Sequence, residues 1–306
     1  MVYGFRWDFY GLCKYIIHLD RMNTPLVTIG IPCYNVGRFI ALSIKSVLAQ
    51  TYTNFELIIT DDGSTDNTVD EIRKFNDSRI KLIVDGENHG ISYRLNQQID
   101  MAKGDFFIRM DGDDIMFPNR VEEQVRFLYT HPNVDVVGSS IVVVDNDTKI
   151  IGFRKYNTCQ LSKDKLYIGT CFAHPTVCGR IKFFKTYYYD EAYNGAEDHN
   201  LWIRGFTGCN YSTINSPLMF YRDPCIFKLN TYLGRMKTLR RMYSDFINSD
   251  YENVSLLKKL IAKSYIKTII SFTLAKLHLD SLMIARRNQK NVDARYQKVL
   301  DLILET

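Results

Sequence analysis

Three short polar clusters carry the side chains best suited to chemistry: Pro32-Cys33-Tyr34-Asn35, Asp61-Asp62-Gly63-Ser64 and Asp111-Gly112-Asp113-Asp114. In the last, Asp111 and Asp113 are one residue apart and can share a hard cation whose other ligands are diphosphate oxygens. The same four residues also suit a solvated turn that caps a following helix. An EF-hand is excluded, because the fifth position counted from Asp111 is Ile115, which offers no oxygen. In the middle cluster a carboxylate can accept a hydrogen bond from the N–H of a planar base while Tyr34 stacks on its ring. Turn preference alone also accounts for Asp, Gly and Ser there. A fourth pair, Glu197-Asp198, opens an amphipathic segment whose N-terminal dipole favours negative charge. It reads either as a helix cap or as a general base that takes a proton from an attacking hydroxyl. His89, His174 and His199 lack metal-ligand spacing among themselves and receive no catalytic role.

Each of the first three clusters directly follows a short apolar run. The pattern predicts strands at 26–31, 55–60, 80–84, 105–110 and 134–144, alternating with helices near 38–49, 67–76, 92–102 and 119–130. Such alternation is the signature of a mostly parallel sheet with helices on both faces. Ligands of an open sheet of this kind lie outside the carboxyl ends of its strands, so the clusters should converge on one crevice. From 150 to 222 the alternation gives way to short strands, turns and a helix beginning near Glu197, the expected place for an acceptor half. Beyond Pro224 strong helix formers dominate and Gly and Pro almost vanish.

The expected layout is therefore an N-terminal arm over 1–24, an α/β domain over 25–224 divided at 150, and a helical tail over 225–306. With 306 residues, 46% of them hydrophobic, the chain can bury a substantial core. The total charge of +5 is unevenly spread: residues 225–306 hold fifteen Lys and Arg against seven Asp and Glu, a net +8 on an otherwise mildly acidic protein. Such a tail attracts anionic partners. Within it Lys259, Lys263 and Lys267 recur every fourth residue beside Leu256, Leu257, Leu260, Ile261 and Ile269. That spacing fits first a helix packed on the domain, and as the alternative a helix lying in an anionic membrane interface. No apolar run approaches the roughly 18 residues of a membrane span. Seven cysteines without a C-x-x-C pair indicate a reducing cytoplasm, and Met1–Asn23 lacks the build of a signal peptide.

Taken together, the stretches Val27–Asn35, Ser46–Tyr52, Phe55–Asp66, Asn88–Ser92, Ala102–Asp105, Arg109–Asp114 with Pro118 and Arg120, and Ala196–Asp198 resemble the family 2 glycosyltransferases of the GT-A fold. The resemblance implies a nucleotide-sugar donor, expected to be a UDP-sugar. Pro32, Tyr34, Asn35, Asp61, Asp62, Asn88 and Asp111 would surround it. It also implies Mn2+ or Mg2+ at Asp111 and Asp113, with Asp113 the direct ligand and Asp114 an alternative, and Asp198 as catalytic base. One departure stands out: many members carry Ala-Arg-Asn where this chain has Arg94-Leu95-Asn96, which puts an arginine contact to the donor in doubt. Processive members carry Q-x-x-R-W, and Leu201-Trp202-Ile203-Arg204-Gly205 does not match it. The expectation is inverting transfer of a single sugar to a glycan or lipid-linked acceptor of a cell-surface polysaccharide, at the cytoplasmic face of the membrane and without nucleic acid. A nucleotidylyltransferase and a non-catalytic sugar-nucleotide module are the alternatives.

Overall fold

The computed structural model describes residues 24–157, 161–223, 226–249, 253–283 and 292–305. The expected arm falls outside that set except for Thr24, as do Cys13, Cys159 and Cys225. Strand β1 (Val27–Cys33) is buried along its whole length, as a central parallel strand must be. It pairs in parallel with β2 (Phe55–Asp61) on one side and β4 (Phe106–Arg109) on the other, and β3 (Ile80–Val84) pairs outside β2. The chain thus runs outward from β1 to β3 and then returns to the far side of β1 for β4. That reversal puts the topological switch point between β1 and β4, whose carboxyl ends lead into Tyr34-Asn35 and Asp111–Asp114.

The parallel arrangement read from the sequence holds for β1 to β4, and the sheet becomes mixed beyond them. Strand β8 (Cys178–Arg180) lies antiparallel between β4 and β6 (Val136–Val144). Strand β9 (Tyr211–Arg222) runs parallel to β6, β5 (Ile115–Met116) is antiparallel to β9, and β7 (Ile150–Arg154) is antiparallel to β6. The nine strands form one sheet. One face is covered by α1 (Ile40–Leu48), α2 (Thr68–Arg73) and α4 (Arg120–Thr130) through Ile44, Ile72 and Val125. The other is covered by α3 (Ile91–Met101), α5 (Lys163–Ile168), α6 (Ile181–Tyr187) and α7 (Glu197–Gly205), with Leu95, Leu166, Phe184 and Trp202 in the core.

The tail is helical, in α8 (Leu229–Asn248), α9 (Val254–Lys276) and α10 (Arg295–Glu305). Helix α8 packs onto the second face through Met242, Tyr243 and Phe246, and α9 joins it through Leu257 with Leu256, Leu260 and Ile261 partly buried. Four of the five apolar residues expected to stripe α9 are therefore spent on the domain, and only Ile269 points outward, 66% exposed. Helix α10 closes a separate small core on β5 and β9 with Leu300 and Ile303 against Ile115 and Phe220. Among the described residues, no helix is long and apolar enough to cross a membrane.

Candidate active site

The loops after β1 and β2 are laced into one wall. Asn35 takes a left-handed conformation (φ 52°), which a short polar side chain tolerates, and its Oδ1 accepts the Thr65 N–H at 2.8 Å. Its own N–H donates to Ser64 Oγ at 2.9 Å, and Ser64 N–H donates to Asp61 at 3.0 Å. Asp62 accepts the His89 N–H at 2.8 Å, the Gly90 N–H at 3.0 Å and Arg94 Nε at 2.9 Å, while Asn88 Nδ2 donates to the Asp62 carbonyl at 3.0 Å. Gly63 has φ 73°, and a Cβ there would meet the Glu87–Asn88 backbone at 3.0 to 3.1 Å. Most of the residues expected around a donor thus hold the three loops in register. Tyr34 differs, being 50% exposed. Pro32 is buried within β1, two residues past the point where the β4 ladder ends at Gly30 and Arg109. Arg94, the departure noted in the sequence, does not face the crevice. It is fully buried beneath the loop, clamped on Asp85 at 2.6 and 2.7 Å as well as on Asp62.

The third cluster forms a carboxylate trio. One oxygen from each of Asp111, Asp113 and Asp114 lies within 4.8 Å of the others. Ser43 Oγ of α1 donates to the Gly112 and Asp114 carbonyls at 2.9 and 2.6 Å, which fixes the turn, and a Cβ on Gly112 would press on Val36 at 3.0 Å. Asp111 is held by the buried Arg109 guanidinium in a two-point pair at 2.9 and 2.5 Å. Burial and then the Asp111 charge push Asp113 up to about 6, and burial with both neighbours pushes Asp114 well above the ordinary carboxylate range. Oδ1 of Asp114 accepts the Arg222 N–H at 2.8 Å, whereas its buried Oδ2 has no hydrogen-bond partner. An orphaned carboxyl oxygen in a crowded acidic trio is the environment that a divalent cation relieves, so the residues present fit a hard metal.

Arg222, at the end of β9, was not singled out by the sequence. Its Nε donates to the Asp113 carbonyl at 2.9 Å, its Nη1 to the Asp145 carbonyl at 2.6 Å, and it lies over Phe39 at 4.3 Å. No spacing ties it to a trio more than a hundred residues earlier, so only pairing of β5 and β6 with β9 could reveal it.

A cavity of about 410 Å³ has Asp111 of this trio on its walls together with Arg109, His174, Glu197 and Asp198. Asp198 stands in the first turn of α7, where it accepts the His199 N–H at 2.7 Å. Beside it, burial and the Asp198 charge raise Glu197, whose Oε2 accepts the Gly195 N–H at 2.7 Å. His174 Nε2 contacts Tyr189 Oη at 2.8 Å, and burial together with Arg109 holds the ring well below the usual histidine range. His199 instead turns into the core toward the Leu166 carbonyl, and His89 stacks on Tyr93. A second residue missed by the sequence, Arg235 of α8, also lines the cavity and packs against Gly195.

The profile described as Glycosyl transferase family 2 matches residues 28–189. This chain belongs to glycosyltransferase family 2. The match takes in all three strand-end polar clusters and stops short of Asp198. Over 202 residues this glycosyltransferase is 36% identical to the putative glycosyltransferase EpsE of Bacillus subtilis, covering 62% of this chain and 71% of that one. Over 199 residues it is 32% identical to WfgD of Escherichia coli, a UDP-Glc:alpha-D-GlcNAc-diphosphoundecaprenol beta-1,3-glucosyltransferase, covering 63% and 75%. The mannosyltransferase PcManGT from Pyrobaculum calidifontis, solved with GDP-Man and Mn2+, matches with a TM-score of 0.59 at 15% identity over 97% of this chain and 92% of that one. The fold is GT-A, with C-terminal helices added, and membership in the family sets the nucleotidylyltransferase alternative aside.

Proposed function

We propose that this glycosyltransferase moves one sugar from a UDP-sugar to a hydroxyl of a lipid-linked or glycan acceptor, with inversion and with a divalent cation. The single observation that carries the reading is the shared cavity, which puts Asp111 of the carboxylate trio and Asp198 on the same walls. The UDP donor and lipid-linked acceptor are taken from WfgD, and Mn2+ is the ion named with PcManGT. Asp111, Asp113 and Asp114 would hold the cation, and bound there it supplies positive charge against the diphosphate leaving group.

The other steps belong to the protein's own side chains. Tyr34 offers a face for the base, and the loops pinned by Asp62, Asn35 and Asn88 shape the donor's seat. Asp198, in the first turn of α7, takes the acceptor proton as the oxygen attacks the anomeric carbon. One displacement without an enzyme nucleophile inverts the configuration. Four described cysteines are free thiols, which agrees with work in the reducing cytoplasm, where we place the reaction. The test is a panel of UDP- and GDP-sugars assayed for nucleoside diphosphate release with Mn2+ and with chelator, beside Asp198→Asn. Release from a UDP-sugar that needs both metal and Asp198 supports the reading; release from no donor, or release indifferent to chelator, defeats it.

A further inference from the structure

The C-terminal half of α9 has its polarity reversed. Its inward side presents Ser264, Thr268 and Ser271, of which Ser264 and Ser271 are buried, and Arg240 of α8 donates to Thr268 Oγ1 at 3.0 Å. Its outward side presents Ile266, Ile269, Ile270 and Phe272, each 47 to 66% exposed, and Leu277 and Leu279 continue the patch past the helix end. A helix that only packs on a domain places these types the other way round. A contiguous exposed patch of large apolar side chains marks a surface that something else covers.

The charges beside it identify what covers it. Lys259, Lys263 and Lys267, at every fourth residue, run along one flank of the apolar face, and none of them forms an ion pair among the described residues. Partial burial, then Lys263 and Arg235, hold the Lys267 ammonium below its ordinary range, so these three cations stand within one another's field. Arg235 is on the wall of the catalytic cavity. The Lys267 end of the basic flank therefore lies toward Arg235, with the apolar face next to it.

We propose that the outward face of α9 docks on an anionic lipid bilayer, with Ile266, Ile269, Ile270 and Phe272 in the interface and Lys259, Lys263 and Lys267 on lipid phosphates. Lysines snorkel in this way from helices lying in a membrane surface. Charge complementarity selects the bilayer over a second copy, because two such faces meeting would set the same lysines against each other. The inference goes beyond the transferase reading, and it needs no substrate to be tested, so either can fail without the other.

The experiment is sedimentation of the full chain with vesicles of phosphatidylcholine alone and of phosphatidylcholine mixed with phosphatidylglycerol, at low and high salt. The protein should follow the mixed vesicles at low salt and leave them at high salt. Changing Lys259, Lys263 and Lys267 together to Gln should weaken partitioning on the order of a hundredfold, roughly fivefold for each lysine. The pair Ile266→Asp and Ile269→Asp should release the protein, and both variants should melt as the parent does, since every changed side chain is exposed. Equal recovery in the supernatant with and without mixed vesicles at low salt overturns the proposal. So does unchanged partitioning of either variant, and so does a dimer, detected by light scattering, that Ile269→Asp dissociates.

Discussion

The carboxylate trio gives two separable expectations at the level of single residues. Because burial and Asp111 raise Asp113 from 3.8 to about 6, the folded state binds its proton more readily than the unfolded chain. The Asp113 contribution therefore becomes more favourable in the metal-free protein as pH falls through 6, and at pH 7.5 the charged Asp113 is a burden. Asp113→Asn should raise the metal-free unfolding free energy at pH 7.5 by an amount on the order of 1–3 kcal/mol while abolishing stabilisation by Mn2+, both read by thermal melts. A melting point that falls in the variant, or a Mn2+ shift that survives, would argue against the trio as the metal seat. Asp198→Asn should act differently. It should reduce turnover by two or more orders of magnitude yet leave donor affinity within a few-fold by calorimetry, since proton removal is felt in the transition state. Burial lowers His174, the opposite shift, so the unfolded chain binds that proton below about 6.5 and the folded protein does not. The His174 contribution should then fall by up to about 1.4 kcal/mol per pH unit below 6.5, and His174→Gln should remove that component of the slope in denaturant titrations.

At the level of elements, α3 acts from beneath the loops after β2 and β3. Arg94 ties Asp62, at the end of β2, to Asp85, just past β3, and donates to the Glu87 carbonyl at 2.6 Å. Removing one partner of a buried charge pair strands the others, so Arg94→Met should cost about 3–5 kcal/mol and loosen the loops after β2 and β3. Arg94→Lys should recover only part of this, because an ammonium cannot make the two-point contact. If denaturant melts show a loss below 1 kcal/mol for Arg94→Met, the arginine is not the strut described. The alternation that predicts β1 to β4 also predicts their loops, which is why those clusters were found. Helix α7 was visible through Glu197-Asp198 and its apolar spacing. Arg222 and Arg235 carry no such pattern, since each reaches the site from an element distant in sequence.

At the scale of the whole molecule, the tail is built into the transferase domain. Leu300 and Ile303 of α10 seal the small core under β5 and β9, the strands that position Arg222 against Asp114. Leu300→Ala should therefore cost about 2–5 kcal/mol in unfolding experiments and weaken Mn2+ stabilisation as well, whereas a change at the exposed Leu302 should do neither. The sequence alone determined the strand-and-helix alternation, the polar clusters at strand ends and the charge of the tail, because each is a local pattern with a period of two, four or a few residues. Two features were decided by the tertiary structure. Packing of α9 spent Leu256, Leu257, Leu260 and Ile261 on the domain and left Ile266, Ile269, Ile270 and Phe272 facing outward, a choice between faces that periodicity cannot make. The folding of β8 and β9 back into the sheet made one cavity of Asp111 and Asp198, residues whose nearness depends on strand order and not on spacing along the chain.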